Sequence, residues 1–497
     1  MRRMLIVGCA AAVLAVTGAS LTSAAPRGPV VVRDTQAGVD DLKPRQQSQQ
    51  ADTQVEPSIS VNPSNPMNAV AVFQEGRVDA GCAQVLGYAT TFDGGRTWTH
   101  GHFPGMSTAT GGGYALASDA VVAFGPGNVV YANSLLCQPT EGGGPVGGDD
   151  LGFNVSTDGG RHWGRTLVVP TERTLPMDDK NWIAVDTGTG AGHHPGRIYM
   201  AWDNVAPVIA MYSDDQAKTW QGPFPIYGAQ GIGTLPLVMP NGDLAIVYAA
   251  TSILPPARVD ADEFEDLVVV DKQAISVAPG AGTLPTGAPL LFTPPITIAA
   301  SHPGDVRQQR AGEGLPTAAV DPKSGRVYVA WSDTMYRTDA SHDVVVSASD
   351  DLVQWSRPVP VNPGSREDFV EHFTPAIDVG TDGIVRVAYR TQQQARSMAD
   401  FSPFVDTYYQ QSTDHGASYG KPLRINRKHT DVRFAAYSRN SAFLGDYNQI
   451  ATAGSWAYIV RCEAFRVSKR DKAEFPPDVY HQRAWVAVVD ADGNKRL

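Results

Sequence analysis

The chain is poor in cysteine, in charge and in helical pattern, and each shortage excludes something. Only four of 497 residues are Cys. One, Cys9, lies inside the apolar N-terminal run. No C-x-x-C or H-x-x-x-H spacing occurs, so a Cys/His zinc site has no support and no metal ligand or cofactor is assigned. Charged residues make up 18% of the chain, and acids outnumber bases, for a net charge of −11. An acidic chain is a poor general binder of nucleic acid or of anionic lipid. Beyond the N-terminus there is no apolar run long enough to span a bilayer, so membrane insertion is not expected. No amphipathic helix longer than about three turns can be drawn.

What is present begins with MRRMLIVGCAAAVLAVTGASLTSA. Arg2 and Arg3 precede an apolar core of about fifteen residues, and Thr22, Ser23 and Ala24 offer a cleavage site. This reads as a secretory signal over 1–24 and implies an extracellular protein. Residues 25–54 are polar and Gln-rich and read as an N-terminal arm, with Val30–Val32 its only strand-like run. Export permits a disulfide. The three remaining cysteines, Cys82, Cys137 and Cys462, all follow the second strand of a repeat; Cys82 and Cys137 lie in adjacent repeats and are the favoured pair, while Cys462 would adjoin Cys82 if the repeats close into a ring.

The strongest signal is an internal repeat. T-F-D-G-G-R-T-W at Thr91–Trp98 returns as S-T-D-G-G-R-H-W at Ser156–Trp163 and as S-D-D-Q-A-K-T-W at Ser213–Trp220. Weaker copies run Ser349–Trp355 and Ser412–Tyr419. The Asp can accept backbone N–H groups across a tight turn, and Gly supplies positive φ. The aromatic residue five positions on is expected to pack between sheets. Ahead of each copy, and twice without one, comes a short apolar strand, a turn, and a Val/Tyr/Ala/Trp strand. That makes seven units between Pro57 and Tyr447, at a mean interval of roughly 65 residues. The sequence resembles the Asp-box, or bacterial neuraminidase repeat, of sialidase-like propellers.

That resemblance covers residues 55–490 and implies an all-β propeller of seven blades of about four strands, with six blades as the alternative. Trp485–Asp490 and Val30–Arg33 are the expected closing strands, and 491–497 a tail. In such a ring the Asp-boxes lie on the face opposite the site, so Asp93, Asp158 and Asp215 read as scaffold. The site face should carry Glu56, Glu75 and Arg77; Asp178, Asp179, Lys180, Asn181 and Asp203; Arg310, Glu313, Asp333 and Arg337; Glu371, His372 and Arg390; and Asp446, Tyr447 and Arg461.

Sialidases use a Tyr nucleophile activated by Glu, a separate Asp, and three Arg on the substrate carboxylate. By resemblance the catalytic candidates are Tyr447, Glu313, Glu371 and Asp179. The substrate-binding candidates are Arg77, Arg310, Arg390, Asp446 and His372. The R-I-P signature that places the first sialidase Arg is missing, so these roles do not carry over by motif. The reading is a monomeric, secreted glycoside hydrolase, exo-sialidase-like, acting on an acidic extracellular glycan or glycoconjugate. The alternative is a propeller that binds a glycan or protein without turning it over. Oxygen-rich runs at 178–181 and 260–266 are of the kind calcium accepts, though neither has the spacing of a known calcium loop.

Overall fold

Short β-branched and aromatic runs separated by Gly and Pro leave this chain few options but strands. The computed structural model describes residues 28–42, 49–138, 148–169, 171, 178–204, 207–253, 269–282, 284–312, 314–362, 364, 366–393, 402–438, 441–466 and 480–493. Among them there is no α-helix, only two 3-10 turns at Thr108–Thr110 and Val432–Phe434. The expected signal, residues 1–24, lies outside the described residues.

The strands form successive antiparallel meanders. Gln49–Val61, Ala69–Val78, Ala83–Thr91 and Thr99–His102 pair in order as the first sheet. Leu116–Phe124, Val130–Cys137, Gly148–Ser156 and Leu167–Val169 form the second. Asp178–Val185, Ile198–Asn204, Pro207–Ser213 and the first half of Gln221–Val238 form the third. The second half of that long strand opens the fourth, followed by Leu244–Ile253, Val269–Ala281 and Ile296–Ala300. Thr317–Val320, Val327–Asp333, Asp343–Ser349 and Val359–Pro360 form the fifth. Val370–Val379, Val385–Gln393, Phe404–Ser412 and Leu423–Arg424 form the sixth. In the last sheet, Gln449–Ala453, Trp456–Ala464 and Gln482–Asp490 are joined by Val30–Gln36 from the far end of the chain.

The core lies between sheets rather than within one. Val70 and Val72 of the first sheet pack on Val122 and Ala132 of the second. Tyr328 and Val346 of the fifth pack on Ile377 and Tyr389 of the sixth. Ile59 and Phe73 of the first sheet also meet Tyr458, Val486 and Val488 of the last. Part of the expected polar arm belongs to this framework: Asp40, Asp52, Thr53 and Gln54 are all buried. Their burial follows from hydrogen bonding, since Asp40 Oδ2 accepts the backbone N–H groups of Thr53 and Gly76.

Five hairpins between third and fourth strands share one pattern. In the second sheet the Ser156 hydroxyl donates to Asp158 Oδ1 at 2.8 Å. The same oxygen accepts the backbone N–H groups of Arg161 and His162, each at 3.0 Å. Asp93 and Asp215 repeat the arrangement with Thr91 and Ser213. Asp351 and Asp414 keep the hydroxyl contact, from Ser349 and Ser412, but Asp351 accepts the N–H groups of Val353 and Gln354 and Asp414 that of Ser418. Each hairpin also grips a neighbour. Asn68 of the first sheet donates to the Gly159 carbonyl, and Trp163 packs edge-on to Phe103 at 4.9 Å. Arg33 and Thr35 of the last sheet donate to the carbonyls of Gly94 and Gly95.

A disulfide joins Cys82 and Cys137, stapling the first sheet to the second, while Cys462 is a buried free thiol. Peptide mapping should therefore find Cys82 and Cys137 unlabelled by alkylating reagents until the protein is reduced. Replacing both by Ser should cost about 2–4 kcal/mol in chemical unfolding.

Asp158→Ala should destabilise by about 1–2 kcal/mol, from the loss of its accepted hydrogen bonds. Burial raises the Asp158 pKa, but the backbone and ring N–H groups of His162 outweigh it and bring it from 3.8 to about 2. The carboxylate's contribution is thus present above pH 3.8 and is lost as pH falls through about 2. Melts of wild type and variant should converge across that window.

Candidate functional site

The innermost strands share an irregularity that sets where their side chains point. The ladder skips between Val55 and Ser58, Ser118 and Val121, Asp179 and Trp182, Ile232 and Leu235, and Phe373 and Ala376. Within each skip one residue is left-handed: Glu56 (φ 51°), Asp119 (50°), Lys180 (45°), Gly233 (76°) and Thr374 (48°). Only one of the five is glycine, so four of these bulges carry a side chain in backbone that L-residues avoid. A bulge re-aims its residue off the regular alternation. Glu56, Asp119 and Lys180 thereby become close electrostatic neighbours, although they come from three different sheets.

Around them the site assembles. The Lys180 ammonium lies 4.1 Å from the ring centres of both Trp182 and Tyr447. Those two rings meet edge-on at 5.5 Å. The Tyr447 hydroxyl is buried with no hydrogen-bond partner among the described residues. Burial, and then the charges of Asp119, Glu56, Asp446 and Asp179, push its pKa well above the usual 10. On the other side, the Gln74 side-chain amide donates to Glu56 and its oxygen accepts Arg77 Nη1 at 2.7 Å. Arg77 and Arg310 both pack on Phe443, at 4.8 and 4.9 Å. Arg310 donates to both carboxylate oxygens of Asp446 and, at 3.0 Å, to the Ser438 hydroxyl. Its side chain remains 35% exposed, which makes it the open cation of the group.

Crowding of acids governs protonation here. Burial, with Asp119 and Asp446 nearby, raises Glu56 from 4.5 to about 8. Burial and the charge of Asp179 raise Asp119 from 3.8 to about 6. Burial holds Lys180 below its usual 10.5. Asp203, also buried, is raised well above 3.8, and its Oδ2 has no hydrogen-bond partner among the described residues.

The structure brings together five of the expected site residues: Tyr447, Asp179, Asp446, Arg77 and Arg310. It uses Arg390 differently. Its buried guanidinium donates to the carbonyls of Leu444 and Gly445 and to the Asn448 side chain, so it holds the Asp446–Tyr447 loop from behind. Glu371 accepts the backbone N–H of His342 at 2.8 Å and lies 2.7 Å from its Nδ1. His372 Nδ1 is 3.3 Å from the His342 carbonyl. The acids acting most strongly on Tyr447 do not include Glu371. Glu313 and the 260–266 run lie outside the described residues. In the other oxygen-rich run, Asp178 accepts Trp202 Nε1 at 3.0 Å and the Thr171 hydroxyl at 2.7 Å. Glu75 reaches toward His100 and His102.

Asp119 and Trp182 were not foreseen. Asp119 had a signal: it stands three residues before Val122, as Glu56 does before Ile59 and Lys180 before Ile183.

No family model and no curated protein matches the chain, whereas many solved structures do. An ulvan lyase, described as a new family of polysaccharide lyase and solved with a glucuronate–sulfated rhamnose unit, is 11% identical. The match covers 88% of this chain and 95% of that one, with a TM-score of 0.50. A Dyadobacter fermentans protein of unknown function is 13% identical over 93% of this chain and 99% of its own, with a TM-score of 0.44. The endosialidase of phage phi92 is 9% identical over 94% and 70%, with a TM-score of 0.49. The described residues are all-β, and the neighbours are propeller-type folds of glycan-active enzymes.

The raised acid at Glu56 makes a sign-definite prediction. In the folded protein it binds its proton up to about pH 8, against 4.5 when unfolded, so stability is lost as pH rises through that interval. Glu56→Gln should remove the loss. In urea titrations, the variant's stability relative to wild type should be greater at pH 8.5 than at pH 4, readings about half a unit outside the interval.

Proposed function

We propose that this chain is an exported, carbohydrate-active enzyme, a closed ring of seven four-stranded blades pinned by Asp-box hairpins, which acts as a monomer on an acidic glycan at Tyr447. The observation that carries the reading is the buried Tyr447 hydroxyl, which has no hydrogen-bond partner among the described residues. A buried donor left without a partner is costly, and a bound substrate oxygen would supply one.

Tyr447 is kept protonated, so its first role is to donate a proton to a substrate oxygen. Asp119, raised to about 6, titrates close enough to neutrality to give or take a proton at a bound substrate. Arg310 presents the planar fork that suits a carboxylate, and Asp446 holds that fork in place. The three-arginine clamp of the sialidase pattern reduces here to Arg310 with Arg77 behind it, because Arg390 is committed to backbone carbonyls. An exo-sialidase form of the reaction would draw the carboxylate partner of Tyr447 from Glu56 or Asp119 rather than Glu371. The lyase form takes support from the ulvan lyase fold and needs the same tyrosine. Export is supported by the N-terminal signal pattern and by the disulfide, which persists in oxidising compartments.

Purified mature protein should be incubated with sialylated and uronate-containing glycans, with new reducing ends and unsaturated uronate both followed. Either product establishes turnover, and the second identifies elimination. Tyr447→Phe should lower kcat by about 100-fold or more while leaving glycan binding nearly unchanged. Glycan that binds saturably and is recovered intact would instead establish the non-catalytic alternative.

A further inference from the structure

The strand Thr99–His102 places His100 and His102 on one face, since side chains alternate along a strand. It is the outer strand of the first sheet, with His100 opposite Ala89 and His102 opposite Gly87. Glu75 sits one strand further in, on Ala69–Val78. Between them Gly87 offers no side chain. A Cβ there would stand 2.7 Å from the Glu75 carboxyl, so the glycine is the gap through which the carboxylate crosses to the histidines.

The crossing ends in a compact set of donors. Glu75 Oε1 lies 2.8 Å from His100 Nε2, and Oε2 lies 2.6 Å from His102 Nε2. All three ligand atoms fall within 4.8 Å of one another. Glu75 is wholly buried. Its Oε2 and His102 Nε2 face each other as a buried ion pair, and neither has a further hydrogen-bond partner among the described residues. Three side chains of metal-ligand type, the carboxylate wholly buried, thus converge on one point from two strands, as ligands do around a shared ion. The outer surroundings fit that arrangement. The Gln54 amide donates to Glu75 Oε1 at 2.5 Å. Such second contacts fix ligand orientation in metal sites.

We propose that Glu75, His100 and His102 bind one divalent transition-metal ion, zinc in the first instance, through two imidazole nitrogens and a carboxylate. Two nitrogens and one carboxylate suit zinc-class ions, whereas calcium requires six to eight oxygens. The ion's role is to fasten a seam. Segment 37–42 leaves the Val30–Gln36 strand of the last sheet and runs over this group. Gly38 lies so close that a Cβ there would meet His100, Gln54 and Phe73 at 2.9 Å. The ion ties the outer strand of the first sheet to an inner one directly beneath that strap.

The test uses the untagged mature chain, stripped with chelator and then dialysed with zinc chloride. Elemental analysis after desalting should return one zinc per chain, and the melting temperature should rise by several degrees. Cobalt should give a visible d–d spectrum. Glu75→Gln, His100→Ala and His102→Ala should each lose the retained metal and the thermal shift, with circular dichroism confirming that they fold. His193→Ala, at a distant His–Asp pair, should keep both. Should a variant fail to fold, the wild-type measurements decide alone. Wild type that retains no zinc and melts at an unchanged temperature would overturn the site, as would zinc retained by all three folded variants.

Discussion

A left-handed residue in the inner strand of sheet after sheet is the constraint on which the rest of this molecule turns. Regular strands would send Glu56, Asp119 and Lys180 to whichever face their alternation dictated. One skipped rung in each strand gives the side chain a direction of its own, at a backbone cost of about 1–3 kcal/mol per non-glycine residue. The surrounding ladders hold these positions. In the first inner strand, pairing resumes at Ser58 and continues to Val61, with Ile59 fully buried against the last sheet. Packing between sheets therefore fixes, at each bulge, a conformation that the isolated strand would abandon.

The electrostatics follow from that geometry. Several acids are brought from separate sheets into a buried space with few cations, and mutual repulsion with burial keeps part of them protonated. Lys180 is held against two aromatic faces, and Arg77 is linked to Glu56 through Gln74. Arg310 is left partly exposed, with its guanidinium held by Asp446. Strain, crowding and an unpartnered phenol meet in one place, which is the pattern expected of a site rather than of a scaffold.

The hairpins were legible because their hydrogen bonds close within a few residues. A carboxylate that accepts N–H groups three and four positions ahead leaves its mark in a contiguous string such as Ser156–Trp163. The Cys82–Cys137 bond and the strand partner of Gln482–Asp490 could be read because the repeat assigns each a place in its sheet. The site was only partly legible. Glu371 and Arg390 have the chemistry of site residues, but His342 and the 444–448 loop engage them, and those partners are remote in sequence. Asp119 sits in an apolar strand, and its role depends on a bulge that no residue type announces. Zinc spacings of the C-x-x-C and helical H-x-x-x-H kinds do not include the strand-borne H-x-H of His100 and His102, whose third member crosses through a missing side chain at Gly87.

The pairing of Val30–Gln36 with Gln482–Asp490 ties synthesis order to structure. Arg461 donates to Asp34, a contact that spans 427 positions. During vectorial synthesis this early strand must wait, its ladder groups unmatched, until the final hairpin arrives. Contacts of such long range slow folding and lengthen the life of open edges. A holding chaperone for the nascent chain, or a rearranged gene that places residues 30–36 after 490, would shorten that exposure without altering any contact in the finished molecule.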